Sequence, residues 1–157
     1  MAGATERNAF DRLRPLRRAL APIEAAQVRR FGRSVLSAIF RTPVLLLHTT
    51  GRRTGRERVT TLAFAEDEDG SLLVVGGSGG QARVPDWVLN LRAHPGAAVT
   101  VERTRLDVVA DELVGAERAR VWPQLRERWP RIETYERRAG RTAPVFRLAR
   151  SDGQDGA

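Results

Sequence analysis

T-T-G-R-R-T-G-R-E-R-V-T-T, from Thr49 to Thr61, lies between two runs that read as strands, residues 44–49 and 58–66. Gly51 and Gly55 bracket Arg52, Arg53 and Thr54, with Arg56 and Arg58 just beyond. Glycine permits positive φ and close backbone approach, so the segment can turn tightly and aim its N–H groups inward. Arginine adds planar forks that match phosphate or carboxylate. Two readings fit the residues: an anion cradle at a strand–strand corner, or an Arg-rich hairpin tip in a chain rich in arginine throughout. Either way the stretch is a hairpin.

Further hairpins follow from it. Asp67-Glu68-Asp69-Gly70 turns the chain from residues 58–66 into a strand at 72–75, Asp-Gly being a strong hairpin signal. A glycine cluster, Gly76 to Gly80 with Ser78 inside it, leads to a short helix with Pro85 in its first turn and Trp87, Leu89 and Leu91 within it. Residues 97–102 and 105–113 read as another hairpin. Residues 117–139 read as helix bent at Pro123 and Pro130, with Gly140 as its stop, and 145–148 as a last strand. Upstream, residues 4–40 read as helix interrupted by Pro15 and Pro22. Strand pairs joined by hairpins, with helices inserted, predict a mainly β, α+β fold: an antiparallel β-barrel with peripheral helices. Regular strand–helix alternation is absent, and the glycine cluster has the wrong spacing for a dinucleotide fingerprint.

Composition narrows the function. With 157 residues the chain predicts one globular domain, and 41% hydrophobic residues support an ordinary core. No cysteine is present, which excludes disulfides, thiolate metal sites and a cysteine nucleophile. The net charge is +8 and every one of the 27 basic residues is arginine. Such a balance favours polyanionic partners, although codon bias also produces an arginine-only chain. The absence of a long apolar run predicts a cytoplasmic protein. Arg12, Arg14, Arg17 and Arg18 among Phe10, Leu13, Leu16 and Leu20 make a basic amphipathic segment, which either covers the domain or contacts an anionic membrane. His48 and His94 are isolated and read as structural, so no metal site is expected.

The run L-L-H-T-T-G-R-R-T-G-R-E-R-V-T-T-L resembles the signature of the deazaflavin-dependent nitroreductase family, T-T-G-R-K-S/T-G-x-x-R. The block G-G-S-G-G-Q-A-R-V-P-D-W-V-L-N-L-R-A-H-P is similar to that family's S-x-G-G-x-x-x-x-P-x-W-x-x-N-L-x-A-N-P. A third block, from A-R-V-W-P-Q-L through W-P-R-I-E-T-Y-E-R-R-A-G-R-T-A-P-V-F, resembles its C-terminal region. The three blocks occur in order, between Pro43 and Leu148.

The resemblance implies a split β-barrel of the flavin-reductase type over residues 43–150, preceded by an N-terminal helical segment (1–42) and followed by a disordered tail (151–157). It implies the 8-hydroxy-5-deazaflavin coenzyme F-420, a flat head with a phosphate and a polyglutamate tail, with FMN as the second choice. Arg52, Arg53, Arg56 and Arg58 would then hold phosphate and tail carboxylates, with Thr54 adding a hydroxyl. Val59, Thr60, Thr61 and Leu62, together with Gly76, Gly77, Ser78 and Gly79, would let the ring lie against the sheet. Val88, Trp129, Ile132 and Tyr135 would line the substrate side, and Tyr135 would orient the acceptor or relay a proton. Trp87 reads first as core, and Asn90 as support for the cofactor wall. Arg53 replaces the family's usual lysine and keeps its charge. Ser78 replaces a basic residue of some relatives. Tyr135 alone remains of the several tyrosines some nitroreductase members carry, which leaves a more apolar pocket.

Three functions are compatible with these residues. An oxidoreductase would pass a hydride from reduced deazaflavin to a quinone, nitro compound or other flat electrophile. A sequestering module would bind deazaflavin or a lipid without turnover. A nucleic-acid binder would use the arginines, but only 6% of residues are aromatic and no stacking series is visible. The expected partners are therefore the deazaflavin and a small aromatic or quinone acceptor, with no nucleic acid. A homodimer and peripheral membrane contact through the N-terminal helix are both compatible with the sequence.

Overall fold

The computed structural model describes residues 42–77 and 81–151. The expected N-terminal helices, Ser78, Gly79 and residues 152–157 of the tail lie outside the described residues. The described residues form seven strands: β1 (Val44–Thr50), β2 (Glu57–Ala63), β3 (Ala65–Glu66), β4 (Leu72–Val75), β5 (Gly96–Val101), β6 (Thr104–Leu113) and β7 (Val145–Arg150). Every neighbouring pair is antiparallel, in the spatial order β2-β1-β5-β6-β7-β4-β3. Three helices accompany them among the described residues: α1 (Asp86–Ala93), α2 (Gly115–Arg128) and α3 (Ile132–Ala139).

One expected element divides. The single strand expected over residues 58–66 breaks at buried Phe64, because its two parts have different partners. β2 pairs with β1, whereas β3 pairs with β4 at the opposite end of the strand order. One extended run thus belongs to both edges of the sheet. The sheet must curl to allow this, which is the geometry of a split barrel.

Alternation along the strands fills the interior. Leu45 and Leu47 of β1 meet Val74, Val99, Val108, Phe146 and Leu148 from four other strands. α1 closes this core with Trp87, Val88 and Leu91, and the Trp87 ring packs edge-on against Phe146 at 5.7 Å between centroids. A second cluster lies at the β3–β4–β7 side, where Val121 and Leu125 of α2 and Ile132 of α3 cover Leu73, Leu113 and Val145.

The C-terminal helix expected over residues 117–139 is two helices. α2 runs through Pro123, because Val121 and Leu125 are held against the sheet on either side of it. It ends at Trp129, which leaves the helical region at φ -128 and ψ 81, as the residue before Pro130 is driven to do. Gly140 ends α3 with φ 65, the left-handed stop that glycine supplies.

α2 is also fastened electrostatically. Asp67 sits in the β3–β4 turn with its side chain 2% exposed, and it takes hydrogen bonds from Arg120 of α2 at 2.7 and 3.1 Å and from Arg147 of β7 at 3.3 Å. The Arg120 hydrogen bond is the main reason the Asp67 carboxyl is lowered from 3.8 to about 2, against the opposing effect of burial. A carboxyl lowered by folding adds stability above its unfolded value and loses it as pH falls through the folded one. Asp67→Asn should therefore cost about 2 kcal/mol at pH 7. It should also flatten the acid-unfolding curve between pH 3.8 and about 2. Urea melts at pH 7 and pH 3 check both effects.

The β5–β6 hairpin carries Glu102 at φ 46 and Arg103 at φ 75, two L-residues in the left-handed region. Such residues cost about 1–2 kcal/mol each relative to glycine or a tolerant asparagine. Glu102→Asn combined with Arg103→Gly should raise the melting temperature by about 2–4 °C for each kcal/mol relieved, read by calorimetry.

Candidate functional site

The glycine–arginine loop is closed on itself. Gly51 donates to Arg56 O at 2.8 Å, Gly55 to Gly51 O at 2.8 Å, and the Arg56 amide to Thr54 Oγ1 at 3.3 Å. A Cβ on Gly51 would lie 2.8 Å from Thr54 Oγ1 and 3.1 Å from Arg56 O, so only glycine fits this close approach. Gly55 turns the tip at φ 68. The amides of Gly51, Gly55 and Arg56 are spent on closing the turn and are not available to a backbone cradle. Arg53, Arg56 and Arg58 are exposed and form no ion pair among the described residues.

Arg52 has a different task. Its amide donates to Asn90 Oδ1 at 3.1 Å, and its guanidinium reaches Asn90 Oδ1 and Asp86 Oδ1, both at 3.3 Å. Asn90 is buried and donates through Nδ2 to Thr49 Oγ1 at 3.2 Å. This one amide side chain therefore holds both the start and the first arginine of the loop against α1. Burial alone would raise the Asp86 carboxyl, but the charge of Arg83 and the hydrogen bond from Arg52 hold it below the ordinary value.

Among the described residues β2 is an edge strand, and its backbone groups without a strand partner alternate regularly. Gly51 bonds Arg56, and Phe64 donates to Pro43 O, at the two ends of the β1–β2 ladder. Bonded pairs recur every second residue between these ends. The N–H and C=O groups of Glu57, Val59, Thr61 and Ala63 consequently turn away from β1, to the open side.

That side faces a cleft of about 440 Å³ lined by Thr60, Thr61, Leu62, Ala63, Val75, Gly77, Pro85, Trp87, Trp129, Ile132 and Tyr135. Residues from β2, the glycine loop, α1 and the α2–α3 corner meet here because the sheet curls. Tyr135 narrows it: a Cβ on Gly77 would lie 3.7 Å from Tyr135 Cδ2. The buried indole N–H of Trp129 makes no hydrogen bond among the described residues. The expected pocket residues Trp129, Ile132 and Tyr135 line the cleft, as do Thr60, Thr61, Leu62 and Gly77. Val88 does not. It is fully buried in the core behind Gly76, where its Cγ2 would be 3.0 Å from an added Cβ. Val59 stands exposed between the loop and the cleft. Ser78 and Gly79 are outside the described residues.

Several positions that shape the site were missed from sequence. Arg141 donates to the carbonyl oxygens of Gly76, Gln81, Ala82 and Arg83, and so ties the glycine loop to the α3–β7 connection. Arg118 donates to Glu136 at 2.7 Å and to Ala143 O at 3.2 Å, locking α2 to α3 next to Tyr135. His48 is bonded to Thr100 at 2.9 Å, with Glu57 and Arg105 each 3.2 Å away, which is a structural role. No sequence signal links these partners, since they lie far apart in the chain. Among the described residues no group of three acidic or histidine side chains converges as a metal site. A larger cavity of about 770 Å³, lined by Phe64, Glu66, Glu102, Gln124 and Glu127 among others, shares none of the expected residues.

Residues 21–149 match the sequence pattern of the F420H(2)-dependent quinone reductases. The chain belongs to that family. An F420H(2)-dependent quinone reductase of Mycobacterium tuberculosis is 38% identical over 111 residues, which is 69% of this chain and 74% of the relative. The solved structure of an F420-H2 dependent reductase (FDR-A) is 33% identical, with a TM-score of 0.61, over 68% of this chain and 93% of that one. A heme storage protein of Vibrio cholerae aligns with a TM-score of 0.54 at 16% identity, over 83% of this chain and 92% of its own, a likeness of fold alone. Family membership makes the protein an F-420-dependent oxidoreductase.

The Asn90 bracket is directly testable. Asn90→Ala leaves the Arg52 amide and Thr49 hydroxyl without their buried partner and should cost about 1–3 kcal/mol. Because the loss lies at the loop, hydrogen exchange of residues 49–56 should accelerate beyond the global change.

Proposed function

We propose that the cleft holds the head of coenzyme F-420 and that the exposed arginines of the β1–β2 tip hold its anionic tail. The outward-facing edge of β2 carries this reading. The Thr61 and Ala63 amides and carbonyls offer alternating donors and acceptors to the rim of a flat heterocycle, and the described chain supplies no partner for them. Glycine at position 77 leaves the slot open opposite Tyr135. From Thr60 back to Arg56 an extended strand spans about 13 Å, at about 3.3 Å per residue. Head site and basic tip therefore stand at the two ends of β2, as a flat molecule with a long anionic tail requires.

Bound there, the reduced deazaflavin supplies a hydride. The chain's own contribution is positional. Trp87 and Trp129 form apolar walls that keep water from the reacting face, and Ile132 leaves room for a flat acceptor beside them. The Tyr135 hydroxyl, for which no hydrogen bond is formed among the described residues, can hold the acceptor oxygen and lend it a proton. A quinone fits these demands: it is flat, apolar and ends in carbonyl oxygens. Cationic Arg53, Arg56 and Arg58 fix the tail, and Thr54 stays committed to the turn.

Fluorescence titration with reduced F-420 and, separately, with FMN tests the reading, with menadione then added to follow reoxidation. Micromolar or tighter binding of F-420, a preference over FMN and acceptor-dependent oxidation are expected. Binding with no oxidation by any acceptor would indicate a sequestering protein. Arg53→Ala with Arg56→Ala should weaken F-420 about tenfold or more, through two lost charge-assisted contacts. Tyr135→Phe should lower kcat about 10- to 100-fold with the coenzyme Kd unchanged. An unaltered kcat would remove Tyr135 from the reaction.

A further inference from the structure

One carboxylate stands where an anionic ligand would be expected. Asp86 opens α1, and both of its oxygens are engaged by arginines from the two loops that flank the cleft. Arg52 of the glycine–arginine tip places Nη1 and Nη2 each 3.3 Å from Oδ1. Arg83 of the glycine loop places Nη2 3.1 Å from Oδ1 and 3.3 Å from Oδ2. The helix contributes as well. Pro85 has no N–H, and the first intrahelical bonds come from Val88 and Leu89 to Pro85 O, so the Asp86 and Trp87 amides at the positive end of α1 have no partner among the described residues. Two guanidinium forks thus converge on a single carboxylate of the protein itself, in the first turn of α1, and the residues on either side of it, Pro85 and Trp87, line the cleft.

We infer that Asp86 is a resident counter-ion that occupies the Arg52–Arg83 pair and sets how strongly the site takes the carboxylates of an oligo-glutamate tail. This inference rests on the coenzyme reading above. The energetics suit exchange rather than a permanent lock. Asp86 is 61% exposed and Arg83 74%, and solvent-exposed pairs of this kind contribute between zero and about 1 kcal/mol. An incoming carboxylate can therefore take over one or both forks at small cost. Arg52, 23% exposed and braced by Asn90, does not move far when this happens, so the exchange alters its partner and not its position. With Asp86 in place the three side chains carry a net charge of about +1. Without it they would carry about +2, and non-target anions would compete more effectively. Asp86 is thus a specificity-setting residue: it lowers affinity for anions in general and leaves selection to the head site.

Asp86→Asn keeps the size and the helix position while removing the charge. Binding of F-420 bearing its glutamate tail, of its tail-free chromophore and of free triglutamate should be compared in wild type, Asp86→Asn and Asp86→Glu. Asp86→Asn should bind tailed coenzyme and triglutamate about 3- to 10-fold more tightly, with a steeper loss of affinity on adding salt. The tail-free chromophore should be unaffected, and Asp86→Glu should resemble wild type. Equal or weaker binding of triglutamate and tailed coenzyme by a folded Asp86→Asn would overturn the inference, making Asp86 a scaffold for the arginines. Failure of the wild type to bind the tail-free chromophore would count against the coenzyme reading instead, while the triglutamate comparison still decides the role of Asp86.

Discussion

The ten residues from Glu57 to Glu66 are shared between the two edges of one sheet, and everything else in the molecule is arranged around that sharing. Pairing with β1 fixes the first seven, pairing with β4 fixes the last two, and buried Phe64 is the step between them. A strand that must satisfy both partners cannot lie in a flat sheet. The curl that results brings β2 near Val75 and Gly77, sets α1 against the core, and leaves one side of β2 without a strand neighbour among the described residues. A cleft beside an unpaired backbone edge is what remains.

Arginine chemistry then fixes what packs on this frame. Asp67 draws α2 onto the sheet, Glu136 draws α3 onto α2, and carbonyl oxygens of the glycine loop gather around Arg141. These contacts are spread over separate elements, yet all bear on the residues that line the cleft. Trp129, Ile132 and Tyr135 belong to the corner between the two fastened helices. The long, planar arginine side chain reaches across gaps between elements that a hydrophobic contact would have to close by moving the backbone. An apolar core of modest size and a wide ring of such bridges share the work of positioning.

What could be read from the sequence was local. Asp69-Gly70 announced its turn, Pro130 its break and Gly140 its stop, because each acts within a few residues of itself. The tip glycines were legible for the same reason, but the fate of their N–H groups was not, since turn closure and ligand cradling demand the same residue types. The partner switch at Phe64 left no signal: both halves of the run alternate like any strand, and only tertiary pairing divides them. Asn90 was singled out as a support but its partners were not legible, and Arg141 and the Asp67 arginines gave no signal at all, these partners lying 38 to 80 positions away. Val88 follows Trp87, which does line the cleft, but the helix period carries Val88 to the inward face that it shares with Leu91.

An unpaired strand edge is also a hazard, since its open amides and carbonyls will accept another chain as readily as a small molecule. The two ends of β2 are protected by different means. Near the tip, Glu57 and Arg58 put charge on the strand where nothing else shields it. Farther along no charge remains, and Pro85, Trp129 and Tyr135 stand beside the open edge instead. The residues that line the cleft therefore also cover this part of the open edge, and trimming them to small side chains would expose it to strand addition.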